Sequence, residues 1–297
     1  MTSKQDNWYF YVIALRPYQW VKNFLIFMPL LFSHTFFETG LLIRSFGAFV
    51  AFSATSSSVY LLNDLMDFKK DQIHPIKKLR PLASGKVSPQ ACLLLSLMLC
   101  FFGLVLGLAI SPGLALVLCV YTLSNVLYSK YLKHMVIVDV MFLGLFFILR
   151  VLAGAVAIDV ELSSWLIVCT GLLALFLGFN KRRHELKTLG QDSGEHRRVL
   201  KSYSLYFIDQ MISVLTASTV VFYTLYTMDE RTVRVMGSSH LLWTVPFVYY
   251  GIFRYLYLVH KRGKGGDPTR IVMTDDKMII NLVLWVATCF ILVYYKI

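Results

Sequence analysis

Nine apolar stretches decide what this chain can fold into. They fall at roughly 23–38, 43–62, 91–110, 112–128, 137–157, 163–180, 209–227, 241–259 and 278–295, the first and fourth being short. About 20 apolar residues span the ~30 Å of bilayer hydrocarbon as a helix. The expected fold class is therefore all-α, a polytopic membrane protein with nine transmembrane helices. Only 15% of residues are charged, against about 25% in a soluble domain. No polar stretch is long enough to fold alone, so one integrated membrane domain covering 1–297 is expected. Ser111-Pro112-Gly113 reads as a tight turn between the third and fourth helices.

The net charge of +12 could point to nucleic acid, but its distribution gives another meaning. Lys and Arg fill the N-terminal segment (Lys4, Arg16, Lys22) and every even-numbered connection. These are the loop after the second stretch, Lys130 and Lys133 after the fourth, Lys181 to Lys201 after the sixth, and Lys261 to Lys277 after the eighth. The other face carries only Arg44, Arg231, Arg234 and Lys296. This asymmetry places the N-terminus and the basic loops in the cytoplasm and gives no reason to expect nucleic acid. The N-terminus lacks a basic n-region, a long h-region and a small-residue cleavage site, so no signal peptide is expected. Its Trp8-Tyr9-Phe10-Tyr11 cluster suits an interface, and 1–22 reads as a cytoplasmic interfacial segment. The five cysteines lie in apolar segments without a CxxC pair and read as small buried hydrophobes.

Asn63–Lys86, NDLMDFKKDQIHPIKKLRPLASGK, follows the second stretch directly and packs three aspartates and six cations into 24 residues. Asp64, Asp67 and Asp71 are spaced i, i+3, i+7, which on one helix puts three carboxylates on one face. They would repel unless a cation sat among them, and Mg²⁺ prefers such oxygen donors while keeping positions for phosphate and water. Asn63, Asp64, Asp67 and Asp71 are thus the candidate metal ligands, with Asp64 and Asp67 the candidate catalytic pair. The cations that follow, including Lys70, Lys77 and Arg80, are candidate phosphate ligands. A basic run after a membrane segment also serves as a plain topology signal.

Three further clusters lie on the same face. Tyr128, Lys130, Tyr131 and Lys133 read either as an interfacial belt or as phosphate ligands. Lys181, Arg182, Arg183 and Glu185 open the sixth connection; a Lys181–Glu185 helix pair accounts for only part of this group, and the arginines suit a bidentate anion. Arg16, Gln19, Lys22 and Asn23 recur at helical spacing, consistent with an amphipathic anchor or with one wall of a cavity. Asp139 and Arg150 lie within the fifth stretch, where ionisable groups are functional candidates. Asp139 is close enough to the cytoplasmic end to reach water.

Asn63-Asp64-x-x-Asp67-x-x-x-Asp71, Arg80-Pro81-Leu82, the Tyr128/Lys133 element and the nine stretches together resemble the UbiA superfamily of intramembrane prenyltransferases. The resemblance covers nearly the whole chain. It implies a UbiA-like helix bundle around a central cavity, Mg²⁺ on the first aspartate motif, and cytoplasmic active-site loops at 63–90 and 181–204. Most members carry a second motif, DxxxD, near the end of the sixth span. Here Asn180-Lys-Arg-Arg-His-Glu185 stands in its place. With LRPYQWVKN near the start and GDPT after the eighth stretch, this is similar to the branch that handles more phosphate. That branch moves 5-phosphoribose from phosphoribosyl pyrophosphate (PRPP) to a polyprenyl phosphate, decaprenyl or similar, and begins the supply of lipid-linked D-arabinose.

The resemblance thus implies a Mg²⁺-dependent glycosyltransferase of the cytoplasmic membrane, with PRPP, polyprenyl phosphate and membrane lipid as partners and homo-oligomerisation left open. Lys22, Lys70, Lys77, Arg80, Tyr128, Lys130, Lys133, Lys181, Arg182, Arg183 and Glu185 would hold substrate phosphates. Arg16, Gln19, Asn23 and Arg150 would face the lipid phosphate or the cavity. The alternatives are a prenyltransferase acting from prenyl diphosphate onto an aromatic or other small acceptor, and a non-catalytic transporter. Against the transporter, no inverted repeat is visible and the polar residues collect at one face instead of the midplane.

Overall fold

The computed structural model describes residues 7–189, 198–263 and 265–295, and these are helical with no strand among them. Of the sequence readings, Lys4, Arg197, Lys264, Lys296 and the 190–197 part of the sixth connection lie outside the described residues. The helices are α1 (Asn7–Leu15), α2 (Met28–Phe32), α3 (Thr39–Met66), α4 (Phe68–Ile73), α5 (Pro89–Ile110), α6 (Pro112–Lys130) and α7 (Val138–Ile158), followed by α8 (Ser164–Leu189). Then come α9 (Leu205–Met228), α10 (Glu230–Met236), α11 (Val245–Arg262), α12 (Pro268–Thr274) and α13 (Asp276–Tyr295).

Seven of these helices, α3, α5, α6, α7, α8, α9 and α13, are long and apolar enough to cross a membrane. The other two expected spans are not among them. The stretch at 23–38 is a 3₁₀ segment, Pro17–Phe27, running into the five-residue α2. Its irregularity has local causes. Arg16 takes a left-handed φ of 55, Pro17 starts the 3₁₀ turn, and Pro29 lacks the N–H that a continuous helix would use. The stretch at 241–259 begins as a 3₁₀ turn, His240–Thr244, and α11 ends in His260-Lys261-Arg262, which shortens its apolar length.

The chain divides into two compact units. Unit 1 holds the described residues up to Leu30, Phe36–Lys133 and Leu149–Val160; unit 2 holds Leu31–Thr35, His134–Ile148 and the described residues from Glu161 onward. Unit 1 is organised around α3, the most buried of these seven helices. That helix carries Ser53-Ala-Thr-Ser-Ser-Ser58, all nearly inaccessible. Without a hydrophobic driving force in lipid, membrane helices associate through small residues and interhelical hydrogen bonds. Accordingly, Ser96 on α5 donates to the Ser58 carbonyl at 2.9 Å and pairs with its hydroxyl at 3.0 Å. Gly103 on α5 lies so close to α3 that a Cβ there would meet Thr55 Oγ1 at 2.2 Å and the Ala51 carbonyl oxygen at 2.8 Å.

Ser111 ends α5 and starts α6, as the turn reading requires: its side chain accepts from the Leu114 N–H at 3.0 Å and donates to the Val156 carbonyl at 3.0 Å. Gly154 on α7 abuts the 3₁₀ segment, where a Cβ would come within 2.0 Å of the Ile26 carbonyl oxygen. Unit 2 packs α8, α9 and α11 around Phe176, Tyr203, Ile208, Tyr255 and Leu258.

Gly154→Ala and Gly103→Ala should each destabilise the fold by about 1–3 kcal/mol, because the added methyl meets backbone that cannot rotate away. Thermal unfolding in detergent checks this, with Gly40→Ala, whose Cβ meets nothing within 4 Å, as the neutral control.

Candidate active site

The aspartate motif sits where α3 gives way to α4. The three carboxylates do not share one helix, contrary to the i, i+3, i+7 expectation. The helix breaks at Asp67, which leaves helical geometry at φ −96 and ψ 7. Asp64 therefore closes α3, Asp67 marks the junction and Asp71 belongs to α4. The break re-aims them. Arg80 Nη1 donates to Asp64 Oδ1 at 2.9 Å and to Asp71 Oδ2 at 2.5 Å, so the two carboxylates converge on one guanidinium nitrogen. Arg16 Nη2 also donates to Asp64, and its guanidinium lies over the Tyr60 ring. Lys77 lies 4.0 Å from Asp71. Asp67 turns instead to Lys133, whose Nζ donates to both of its oxygens at 2.8 and 3.1 Å.

Burial grades this cluster. Asp64 and Asp71 are 5% and 2% exposed, whereas the Asp67 side chain keeps 26% of its surface. Burial raises the Asp71 carboxyl above its ordinary range, and the Arg80 and Lys77 charges oppose that shift. Asn63, one residue before Asp64, accepts from the Ser129 hydroxyl at 2.6 Å, which ties the end of α3 to the end of α6.

Deeper in unit 1 lies a second polar network. Buried Arg150 on α7 donates from Nε to Asn23 Oδ1 at 2.8 Å and from Nη2 to the Tyr121 hydroxyl at 3.3 Å. Its guanidinium also stacks over the rings of Phe52 and Tyr121. Asn23 in turn donates to Ser53 Oγ at 2.9 Å. The structure thus joins two of the four residues read as cavity candidates. Gln19 is buried in the same 3₁₀ segment and Lys22 is half-buried there.

The second motif, in unit 2, is arranged differently from its reading as a set of phosphate ligands, because its arginines are taken by carboxylates of the chain itself. Arg182 is completely buried. Its Nε donates to Asp139 Oδ2 at 2.7 Å, and its Nη1 donates to Glu185. Glu185 thus takes Arg182 at i+3. Asp139 does not reach water: it is fully buried and accepts a further bond from the Tyr203 hydroxyl at 2.8 Å. The Tyr203 oxygen also accepts from the Ile137 N–H at 2.6 Å, which helps hold Ile137 in a left-handed conformation, φ 68, uncommon for a β-branched residue. Arg183 donates to Asp209 at 2.6 Å, and Lys181 is half-buried on α8. Among the remaining candidates, Lys70 and Lys130 are exposed and Tyr128 is half-buried. Sequence reasoning overlooked Ser129, Tyr203 and Asp209. Only Asp209 carried a signal, as a lone acid opposite a run of cations.

A sequence profile of the UbiA prenyltransferase family matches residues 24–191. The chain belongs to this family. Two relatives, both decaprenyl-phosphate phosphoribosyltransferases, match nearly end to end. That of Mycolicibacterium smegmatis is 29% identical over 95% of this chain and 92% of its own length. That of Mycobacterium tuberculosis is 30% identical over 93% and 92%. The UbiA fold is seen directly in the structure of a UbiA homolog from Archaeoglobus fulgidus bound to GPP and Mg²⁺, which superposes with a TM-score of 0.71 at 18% identity over 96% of this chain and 99% of that one. The protein is therefore an integral, multi-pass membrane transferase of the UbiA family.

Divalent metal use in the family can be tested against these side chains. The described residues hold no group of three or more His, Cys, Asp or Glu gathered for a metal ion. Asp64 and Asp71 nevertheless converge on one positively charged point, now filled by the Arg80 nitrogen. Two converging carboxylates suit a hard oxygen-seeking cation, so these residues fit Mg²⁺.

The Asp139–Arg182 pair supplies a stability test. Arg182→Met alone should cost about 3–5 kcal/mol by stranding a buried carboxylate, while Arg182→Met with Asp139→Leu should recover much of that loss. Thermal unfolding of the single and double variants reads the difference.

Proposed function

We propose that this enzyme transfers the 5-phosphoribosyl group of PRPP to a polyprenyl phosphate and releases pyrophosphate, at the cytoplasmic face of the cell membrane. The observation that carries the reading is the convergence of Asp64 and Asp71 on Arg80 at the broken end of α3, with Arg16 on the same carboxylate. The relatives that match along nearly the full chain are named for phosphoribosyl transfer and decaprenyl phosphate, which supports this choice of substrates.

The chemistry asks for charge balance more than for proton transfer. A lipid phosphate oxygen is already anionic, so its attack on C1 of the ribose needs no strong general base. The C1–O bond to pyrophosphate breaks with its electron pair leaving on pyrophosphate, and a new C1–O bond forms to the lipid phosphate. Stabilising the leaving charge and holding the two reactants in line carry the rate. Bound Mg²⁺ would neutralise part of the pyrophosphate charge, held by Asn63, Asp64 and Asp71 with Asp67 at the rim. Arg16, Arg80 and Lys133, which balance these carboxylates in the structure, would pass to phosphate oxygens when substrate enters. Lys22, Lys70, Lys77, Tyr128 and Lys130 extend the candidate phosphate set. Buried Arg150, fixed by Asn23 and Tyr121, contributes standing positive charge for the lipid phosphate. The product would enter lipid-linked D-arabinose supply.

Asp64→Ala and Asp67→Ala should each reduce transfer of labelled phosphoribose from PRPP to polyprenyl phosphate by about 10²-fold or more without loss of protein. Chelation should abolish transfer, and added Mg²⁺ should restore it. Full activity in both variants, or product formed only from prenyl diphosphate and an aromatic acceptor, would reject the reading.

A further inference from the structure

Unit 2 has a feature that phosphoribosyl transfer does not use. Between α9 and α11 lies a cleft of 690 Å³, within the ~300–1,000 Å³ of ordinary ligand sites. Ile212, Ser213, Thr216 and Ala217 on α9 and Phe253 and Leu256 on α11 line it. Thr216 Oγ1 is buried without a hydrogen-bond partner. Along α9 the cleft runs from Asp209 to Val220, about 16 Å at 1.5 Å per residue. That is one leaflet of a ~30 Å hydrocarbon core.

A second cavity of 240 Å³ lies at the head of this cleft, lined by Arg183, His184, Lys187, Thr188, Val259 and Gly263. The two share the Arg183–Asp209 pair as their boundary: Arg183 lines the small cavity, Asp209 lines the cleft, and they bond at 2.6 Å. His260 Nε2 stands 3.9 Å from the same carboxylate. Asp209 is thus already matched by Arg183. Lys187 has no ion pair among the described residues, and Lys261 and Arg262 are exposed at the adjoining end of α11. Glu185, the nearest acid along α8, is engaged by Arg182.

A one-leaflet apolar trough ending in a cationic cup matches an amphiphile with an anionic head. Basic pockets between transmembrane helices on the cytoplasmic side bind anionic lipid head groups. We propose that this is a binding site for one anionic membrane phospholipid, with an acyl chain between α9 and α11 and its phosphate in the Arg183–Lys187 cup. The length of the cleft argues for a phospholipid and against a long polyprenyl chain.

Native mass spectrometry of the purified protein tests this in micelles doped with phosphatidylglycerol or phosphatidylcholine. The wild-type protein should retain one phosphatidylglycerol and no phosphatidylcholine, with a higher unfolding temperature in the first mixture. Lys187→Glu, at an exposed position, and Ala217→Trp, which fills the trough, should each cut retention at least tenfold. Monodisperse elution and an unchanged lipid-free unfolding temperature establish that a variant has folded. Equal retention of both lipids, or unchanged retention in both variants, would overturn the proposal. So would displacement by millimolar inorganic phosphate, which would assign the cup to a soluble phosphoryl group, or retention of polyprenyl phosphate alone, which would make the cleft an acceptor site.

Discussion

Two buried carboxylates that share one guanidinium nitrogen hold the candidate-site end of unit 1 together. Asp64 and Asp71 are almost inaccessible, and without Arg80 between them their charges would repel in a medium that screens poorly. The rest of unit 1 makes this arrangement possible. Small residues on α3 let α5 approach closely, the break at Asp67 lets α4 turn back, and the left-handed Arg16 brings a second guanidinium to Asp64. The same break sends Asp67 outward to Lys133. One irregular residue thus separates an inner pair from an outer one.

Unit 2 applies similar physics with a different result. Arg182 between Asp139 and Glu185 is sealed, with 1% of its side chain accessible. Arg80 between Asp64 and Asp71 keeps 29%. A sealed pair costs several kcal/mol to open and acts as a fixed joint; a partly wetted pair can exchange partners with an incoming anion. Both arginines read from sequence as phosphate ligands; under the proposed function the difference in exposure suits Arg182 to positioning and Arg80 to phosphate contact.

The fold class was legible because long apolar stretches admit few interpretations, and the Ser111-Pro112-Gly113 turn was legible because Ser and Pro serve helix starts. What failed was regularity. The 3₁₀ segment that starts at Pro17, after the left-handed Arg16, runs into the first expected span, and Pro29 follows within it; hydropathy registers none of these. At the site, the identity of the aspartates was readable but their aim was not. Spacing assumes an unbroken helix, and the backbone at Asp67 is not helical. The role of Asp139 was hidden for another reason. Its partners Arg182 and Tyr203 lie 43 and 64 residues away, and no local pattern reports contacts of that range.

Ser111 connects three helices through a single short side chain, capping α6, ending α5 and bonding to α7. That fixes the rotational phase of α6 as well as its position. One residue inserted between Ser111 and Tyr121 would rotate everything beyond it by about 100°. Tyr121 would swing away from Arg150, Ser129 from Asn63, and Lys133 from Asp67. The stretch from 112 to 133 can therefore vary in side chains during evolution, but its length is locked at both ends.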